Sequence, residues 1–287
     1  TRAVDLDLDL NPGARVYTLP CIAGHVGADA AAATLSTAPY ESDPITLLVD
    51  VGTNAEIVLG NRQRVLAASS PTGPAFEGAE ISCGQRAAPG AIERIRIDPQ
   101  TLEPRFKVIG AEPWSNEENF VEAAEFVGVT GICGSGIIEA VAELYMAGVI
   151  TTDGLIDGSL AAKSPRIVQN GRTFEYHITD FTTPISIRQT DIRAIQLAKA
   201  ALYAGVKLLQ DKLGGAPIER TRLAGAFGSY IDTKYAMILG LIPDCELENV
   251  SGIGNAAGTG ARIALVNRAK RREIERVVRD IEKIETA

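Results

Sequence analysis

From Ile45 the apolar positions fall at strand spacing through Val51, then over residues 56–59 and 64–68, with Gly60-Asn61 as the turn between the last two. That spacing predicts a β-meander. Further strands are expected at 92–97 and 105–109. Helical spacing takes over at 134–147, where Ile137, Ile138, Val141, Leu144 and Tyr145 share one face. A longer helical pattern at 191–213 carries Ile192, Ile195, Leu197, Ala198, Leu202, Val206 and Leu209. Residues 221–224 read as a buried strand, 232–239 as a helix that Asp232 can cap, and 255–284 as one long helix with a charged outer face. Ahead of the meander, residues 1–44 read as a lead-in: an irregular start, an Ala-rich helix to about Leu35, and a polar linker at 36–44. Strand groups alternating with helices predict α/β layers with a mixed sheet flanked by helices, rather than a doubly wound parallel sheet.

The 287 residues can form one large domain or two lobes around a sizeable core. A formal charge of -8 opposes nonspecific binding to nucleic acid or an anionic membrane, because no net field attracts polyanions. Cys21, Cys83, Cys133 and Cys245 lie far apart without a CxxC, and there are two histidines, so neither zinc nor an iron–sulfur cluster is expected within this chain. Buried free thiols in a cytoplasmic protein are the favoured reading. No apolar stretch approaches the roughly 20 residues of a membrane span. The start, Thr1-Arg-Ala-Val-Asp-Leu, lacks a signal-peptide pattern and has no Met, which points to a fragment of a longer protein.

Glycine loops carry the candidate chemistry. In Asp50-Val-Gly-Thr-Asn54, a tight turn beside one carboxylate suits phosphate and Mg²⁺, since amides hold the anion and the acid holds the cation through water. An ordinary hairpin has the same pattern. Gly131-Ile-Cys-Gly-Ser-Gly136 opens a helix whose first amides favour an anion, although a glycine turn packed on a strand would look alike. Leu223-Ala-Gly-Ala-Phe-Gly-Ser-Tyr-Ile-Asp232 could lay a flat ring against backbone without Cβ atoms, or be a plain β–α turn. Val250–Gly254 with the residues to 258 reads as a fourth, structural glycine turn, capped by Asn255 or Ser251. Cys133, at a helix start that would favour a thiolate, reads first as a small buried residue, and His25 with Asp29 as a structural pair before a catalytic one, on one helical face if the helix has begun there.

Taken in order, the stretches at 48–59, 73–78, 131–137 and 223–231, with Pro20-Cys-Ile-Ala-Gly-His-Val-Gly-Ala-Asp29 before them, resemble the C-terminal domain of the reductive activators of corrinoid proteins, an actin-like (ASKHA) ATPase fold. The resemblance spans nearly the whole chain and makes 45–287 the nucleotide-binding domain. It implies an ATP-dependent activator that returns a Co(II) corrinoid protein to Co(I), with a homodimer expected. Electrons would pass through a [2Fe–2S] cluster in an N-terminal ferredoxin-like part outside this chain, and an earlier Asp-Gly-Thr-Thr loop would also lie upstream. By the same resemblance Asp50 is the catalytic residue and, through water, the Mg²⁺ holder, while Gly52, Thr53 and Asn54 donate to the ATP phosphates. Gly134, Ser135 and Gly136 would flank ribose or phosphate, and Gly225, Ala226, Phe227 and Gly228 the adenine. Glu56, on the same side of the strand as Asn54, is a candidate acid supporting Asp50, or a solvent-facing residue. Phe76-Glu77 could touch the corrinoid partner, or simply anchor a turn. A small-molecule kinase of the sugar or acetate kinase type is the alternative enzyme. A docking or dimerisation module without catalysis is the alternative outside enzymes.

Overall fold

The meander folds as three antiparallel strands, β1 (Thr46–Val51), β2 (Ala55–Gly60) and β3 (Val65–Ser70), preceded by helix α1 (Ala28–Thr37). The computed structural model describes residues 1–225 and 230–286. Next come β4 (Ala91–Ile97), β5 (Pro104–Val108), α2 (Phe120–Val127), β6 (Gly131–Ile132) and α3 (Gly134–Met146). A small antiparallel sheet of β7 (Ile167–Asn170), β8 (Thr173–His177) and β9 (Ser186–Arg188) leads into the long α4 (Gln189–Lys212). β10 (Arg220–Ala224), α5 (Thr233–Ile238), β11 (Val250–Gly254), α6 (Ala256–Val266), α7 (Arg268–Asp280) and β12 (Glu282–Lys283) follow.

The main sheet runs β11-β10-β1-β2-β3-β12. β1 lies antiparallel to β2 and parallel to β10, so the sheet is mixed. Both of its faces are covered. Leu47, Val49, Ile57 and Leu59 pack in a core that includes Ile195, Leu202 and Leu209 of α4, while Leu48, Val58 and Ala67 pack with Ala31 and Leu35 of α1 and Ile274 of α7. Burial on both sides is why the first strand reads as a nearly continuous apolar run instead of an alternation. α1 belongs to the second layer by close approach: a Cβ on Gly260 of α6 would lie 1.8 Å from the Ala32 carbonyl oxygen, so the Ala-rich and Gly-rich helices touch through backbone.

The expected α/β layers are present, and several boundaries differ. The single helix expected at 255–284 is two helices and a strand. Asn267 takes an extended conformation between α6 and α7 and accepts the Ala269 and Lys270 amides, so a polar side chain restarts the helix that periodicity would have continued. β12 then pairs parallel with β3 and covers that edge of the sheet. The fourth glycine turn is strand β11, and Asn255, not Ser251, caps the helix after it by accepting the Gly258 amide. α1 begins at Ala28, after His25 at a φ of 65°, so His25 and Asp29 share no helical face. Among the described residues no helix is long and apolar enough to cross a membrane.

Gly260→Val would drive a branched side chain into the α1 backbone. It is expected to lower stability by about 3 kcal/mol in urea unfolding; an unchanged midpoint would mean that the two helices part without cost.

Candidate functional site

β1 and β10 run parallel and end at the same edge, where Asp50 is in register with Ala224 on one side and with Glu56 of β2 on the other. Gly225 follows with a φ of 87°, and a Cβ there would lie 2.7 Å from Asp50 Oδ1. A glycine is therefore required for the two strand ends to meet. Asp50 and Glu56 are half-buried on the α1 face of the sheet. Burial, and then the charge of Asp29 in the first turn of α1, raise the pKa of Asp50. The same two causes push Glu56 up to about 7, against the Ser69 hydroxyl that donates to it at 3.3 Å. No cation opposes either shift, so Asp29, Asp50 and Glu56 repel one another without a positive partner among the described residues, although no three such side chains there stand close enough to hold a metal ion directly.

The turn after Asp50 is held from outside. The Thr72 hydroxyl donates to the Gly52 carbonyl at 2.9 Å, and the Gly73 amide donates to the Thr53 carbonyl at 2.9 Å. Thr53 Oγ1 donates to Glu77 at 3.4 Å, which draws the turn toward the short 3-10 helix Pro74–Glu77. Phe76 anchors that helix from the core, and Glu77 is exposed. The Thr53 and Asn54 amides donate to no protein acceptor among the described residues.

Glu77 also lines a cleft of about 230 Å³ with Phe76, Arg86, Gly134, Ser135 and Tyr230. Its far wall is the start of α3. Cys133, buried at the N-cap, offers no side-chain cap, and the Gly134, Ser135 and Gly136 amides have no protein partner among the described residues. Gly136 has a packing role as well, because a Cβ there would fall 2.4 Å from the Ile92 carbonyl of β4. The Ser135 hydroxyl donates to the Glu93 carbonyl at 3.3 Å. Asp191 fixes a neighbouring loop by accepting the Ser82 amide and hydroxyl, each at 2.9 Å, while capping α4. Ala226, Phe227 and Gly228 lie outside the described residues.

A network that periodicity alone does not reveal stiffens the α3 wall. Glu139, fully buried, receives Arg94 and Arg96 at 2.5 Å each and the Ile95 amide at 3.1 Å. One turn on, Glu143 accepts the Ile97 amide at 2.9 Å and the Tyr235 hydroxyl of α5. Arg96 stacks 4.9 Å over the Tyr235 ring. α5, which Asp232 caps as expected, is thereby tied to the helix whose N-terminus faces the cleft. The available signal was a pair of glutamates four residues apart on an otherwise apolar helix.

A cation could be held here only through water by a carboxylate such as Asp50, and the two sets of unspent amides suit phosphate oxygens. Comparison with known proteins identifies the family. Residues 44–287 match the family described as the C-terminal domain of RACo, the ASKHA domain. The chain is 36% identical over 279 residues to the corrinoid activation enzyme RamQ of Eubacterium limosum, covering 93% of this chain and 44% of that protein. It is 28% identical over 274 residues to a Co(II) methylated amine-specific corrinoid protein reductase of Methanosarcina barkeri, covering 91% and 46%. A solved reductive activator for corrinoid, iron-sulfur protein superposes with a TM-score of 0.82 at 34% identity, over 99% of this chain and 44% of that one. The chain thus spans about half the length of the relatives it matches.

Glu56 generates a pH prediction. With its pKa raised from 4.5 to about 7, the folded state holds a proton that the unfolded chain has released. Its contribution to stability is complete below pH 4.5 and is lost as the pH rises through about 7. Glu56→Gln is expected to match wild type in urea unfolding at the acid end of that window and to exceed it above the window. Parallel pH profiles for the two proteins would rule Glu56 out as the source.

Proposed function

The chain belongs to the family of RACo C-terminal ASKHA domains, and from that premise we propose that it is the ATP-binding domain of an activator that returns a Co(II) corrinoid protein to Co(I). The observation that carries the reading is two sets of amides without a protein acceptor among the described residues, Thr53 with Asn54 in the turn after Asp50 and Gly134 to Gly136 at the start of α3, joined through Glu77, which accepts the Thr53 hydroxyl and lines the cleft at the α3 start. Free amides on two elements linked by one side chain favour a polyanion with more than one phosphate. Asp50 orients water, either in the hydration shell of Mg²⁺ or as the attacking molecule, and Mg²⁺ when bound offsets charge on the phosphate oxygens. Gly225 leaves room for backbone and ligand to approach beyond the strand ends, the usual place for ligands in open α/β sheets. The adenine is assigned to the segment that Gly225 opens.

Nucleotide binding would draw the α3 wall and the Asp50 turn together, and the Glu143–Tyr235 link would carry that movement to α5. A change in affinity for the corrinoid protein requires that ATP bind the closed form better than the open one. The partner class is inferred from the names of the Eubacterium limosum and Methanosarcina barkeri relatives. Electron delivery through a [2Fe–2S] cluster and an opposing phosphate loop are assigned to the parent protein outside residues 1–287.

Titration calorimetry of the chain with ATP and Mg²⁺ is expected to give saturable heat by about 1 mM nucleotide. In the complete activator, Asp50→Ala should lower ATP turnover by about 10²-fold or more with the fold intact by circular dichroism. Unchanged turnover would remove Asp50 from the chemistry. No heat from the chain, combined with intact binding to a corrinoid protein, would reduce it to a docking module.

A further inference from the structure

The opposite end of the same sheet gathers positive charge that nothing nearby neutralises. Arg220 and Arg222 alternate along β10 and project from the face that carries Ala224 into the α1 layer. With Ser36, Ser42, Thr46 and Thr259 they line a cavity of about 300 Å³. Arg222 is half-buried, and its Nη1 donates to the Thr221 and Asn249 carbonyls at 3.2 Å each. Its remaining N–H groups, and all those of Arg220, meet no acceptor among the described residues. The adjacent carboxylates are engaged elsewhere: Glu219 accepts the Ile45 amide at 2.9 Å, and Asp43 pairs with Arg62 at 2.7 Å. Burial and the neighbouring Arg220 charge accordingly lower the pKa of Arg222. In a chain of net charge -8, two arginines side by side without a carboxylate run against the bulk composition.

The rest of the lining also offers donors. The Ser42 hydroxyl proton has no acceptor among the described residues, and neither has that of Thr259, whose oxygen already accepts Arg262 at 3.3 Å. Ala256 brings the first turn of α6 to the wall, with its positive dipole end. Guanidinium forks match pairs of tetrahedral oxygens, and hydroxyls can satisfy the remainder.

We propose that this cavity is a binding site for a phosphate-type dianion, either inorganic phosphate or the phosphate of a small monoester. Its volume lies at the lower end of the range for ligand pockets, which sets the size of the ligand. The site is separate from the nucleotide cleft. Arg220 and Asp50 stand four register positions apart, about 13 Å along the strands, so one phosphate group cannot touch both. A bound dianion would bridge α1, the starts of β1 and β10, and α6, and so stabilise the layer on that face.

Thermal unfolding of the chain in inorganic phosphate, against chloride at matched ionic strength, tests this. A saturating rise in Tm is expected by about 10 mM phosphate, with an apparent affinity at least about tenfold weaker in Arg220→Gln/Arg222→Gln. Thr53→Val, at the nucleotide turn, should leave the rise in place. Should the double variant fail to fold, the single Arg220→Gln at an exposed position is expected to weaken the response alone. An equal response in a folded arginine variant, its loss in Thr53→Val, or no response in wild type would overturn the proposal.

Discussion

A strand with helices packed on both faces has no water for its backbone, so β1 must satisfy its amides and carbonyls through the strands on either edge. It does this with β2 on one side and β10 on the other, one antiparallel and one parallel. The parallel partner ends where β1 ends. Asp50, the carboxylate within the strand, is therefore brought to the edge at which β10 also stops, and Gly225 is required there because a side chain would meet the Asp50 oxygen. The location of the site follows from how the central strand is buried.

Two groups of carboxylates in this molecule have opposite electrostatic settings. Glu139 and Glu143 are more deeply buried, yet arginines, backbone amides and a tyrosine hydroxyl satisfy them, so their charge holds β4, α3 and α5 together. Breaking such a network by removing one partner strands a buried charge, which is why it acts as a rigid frame. Asp50, Glu56 and Asp29 lack that compensation, and burial and mutual repulsion raise Asp50 and Glu56 toward protonation. A cation would relieve that repulsion only where the carboxylates are left unpaired. The frame positions, and the unpaired group is available for chemistry.

Charge is also divided along the sheet. The end where β1 and β10 finish collects carboxylates beside free amides, and the end where they start collects Arg220 and Arg222 with hydroxyls. α1 spans this gradient, with Asp29 in its first turn and Thr37 at its last residue. Its backbone contact with α6 couples the two ends through one packed layer.

Much of the architecture was legible from local pattern. The meander, α3, α4, β10 and the Asp232 cap all have their signal within a few residues, because side-chain periodicity and capping are short-range effects. The glycine loops and their order were readable for the same reason. Elements of two to five residues, such as β6, β9 and β12, left no periodicity to read, and Asn267 broke a helix whose apolar spacing continued past it. What tertiary structure alone decided was which distant groups meet: Asp29 beside Asp50 and Glu56, Glu77 between the Thr53 turn and the α3 start, Arg96 between Glu139 and Tyr235. A sequence determines the preference of each segment from its own residues. Whether a carboxylate ends up neutralised or exposed to its like depends on charges brought beside it by packing, and those are set only when the whole chain has folded.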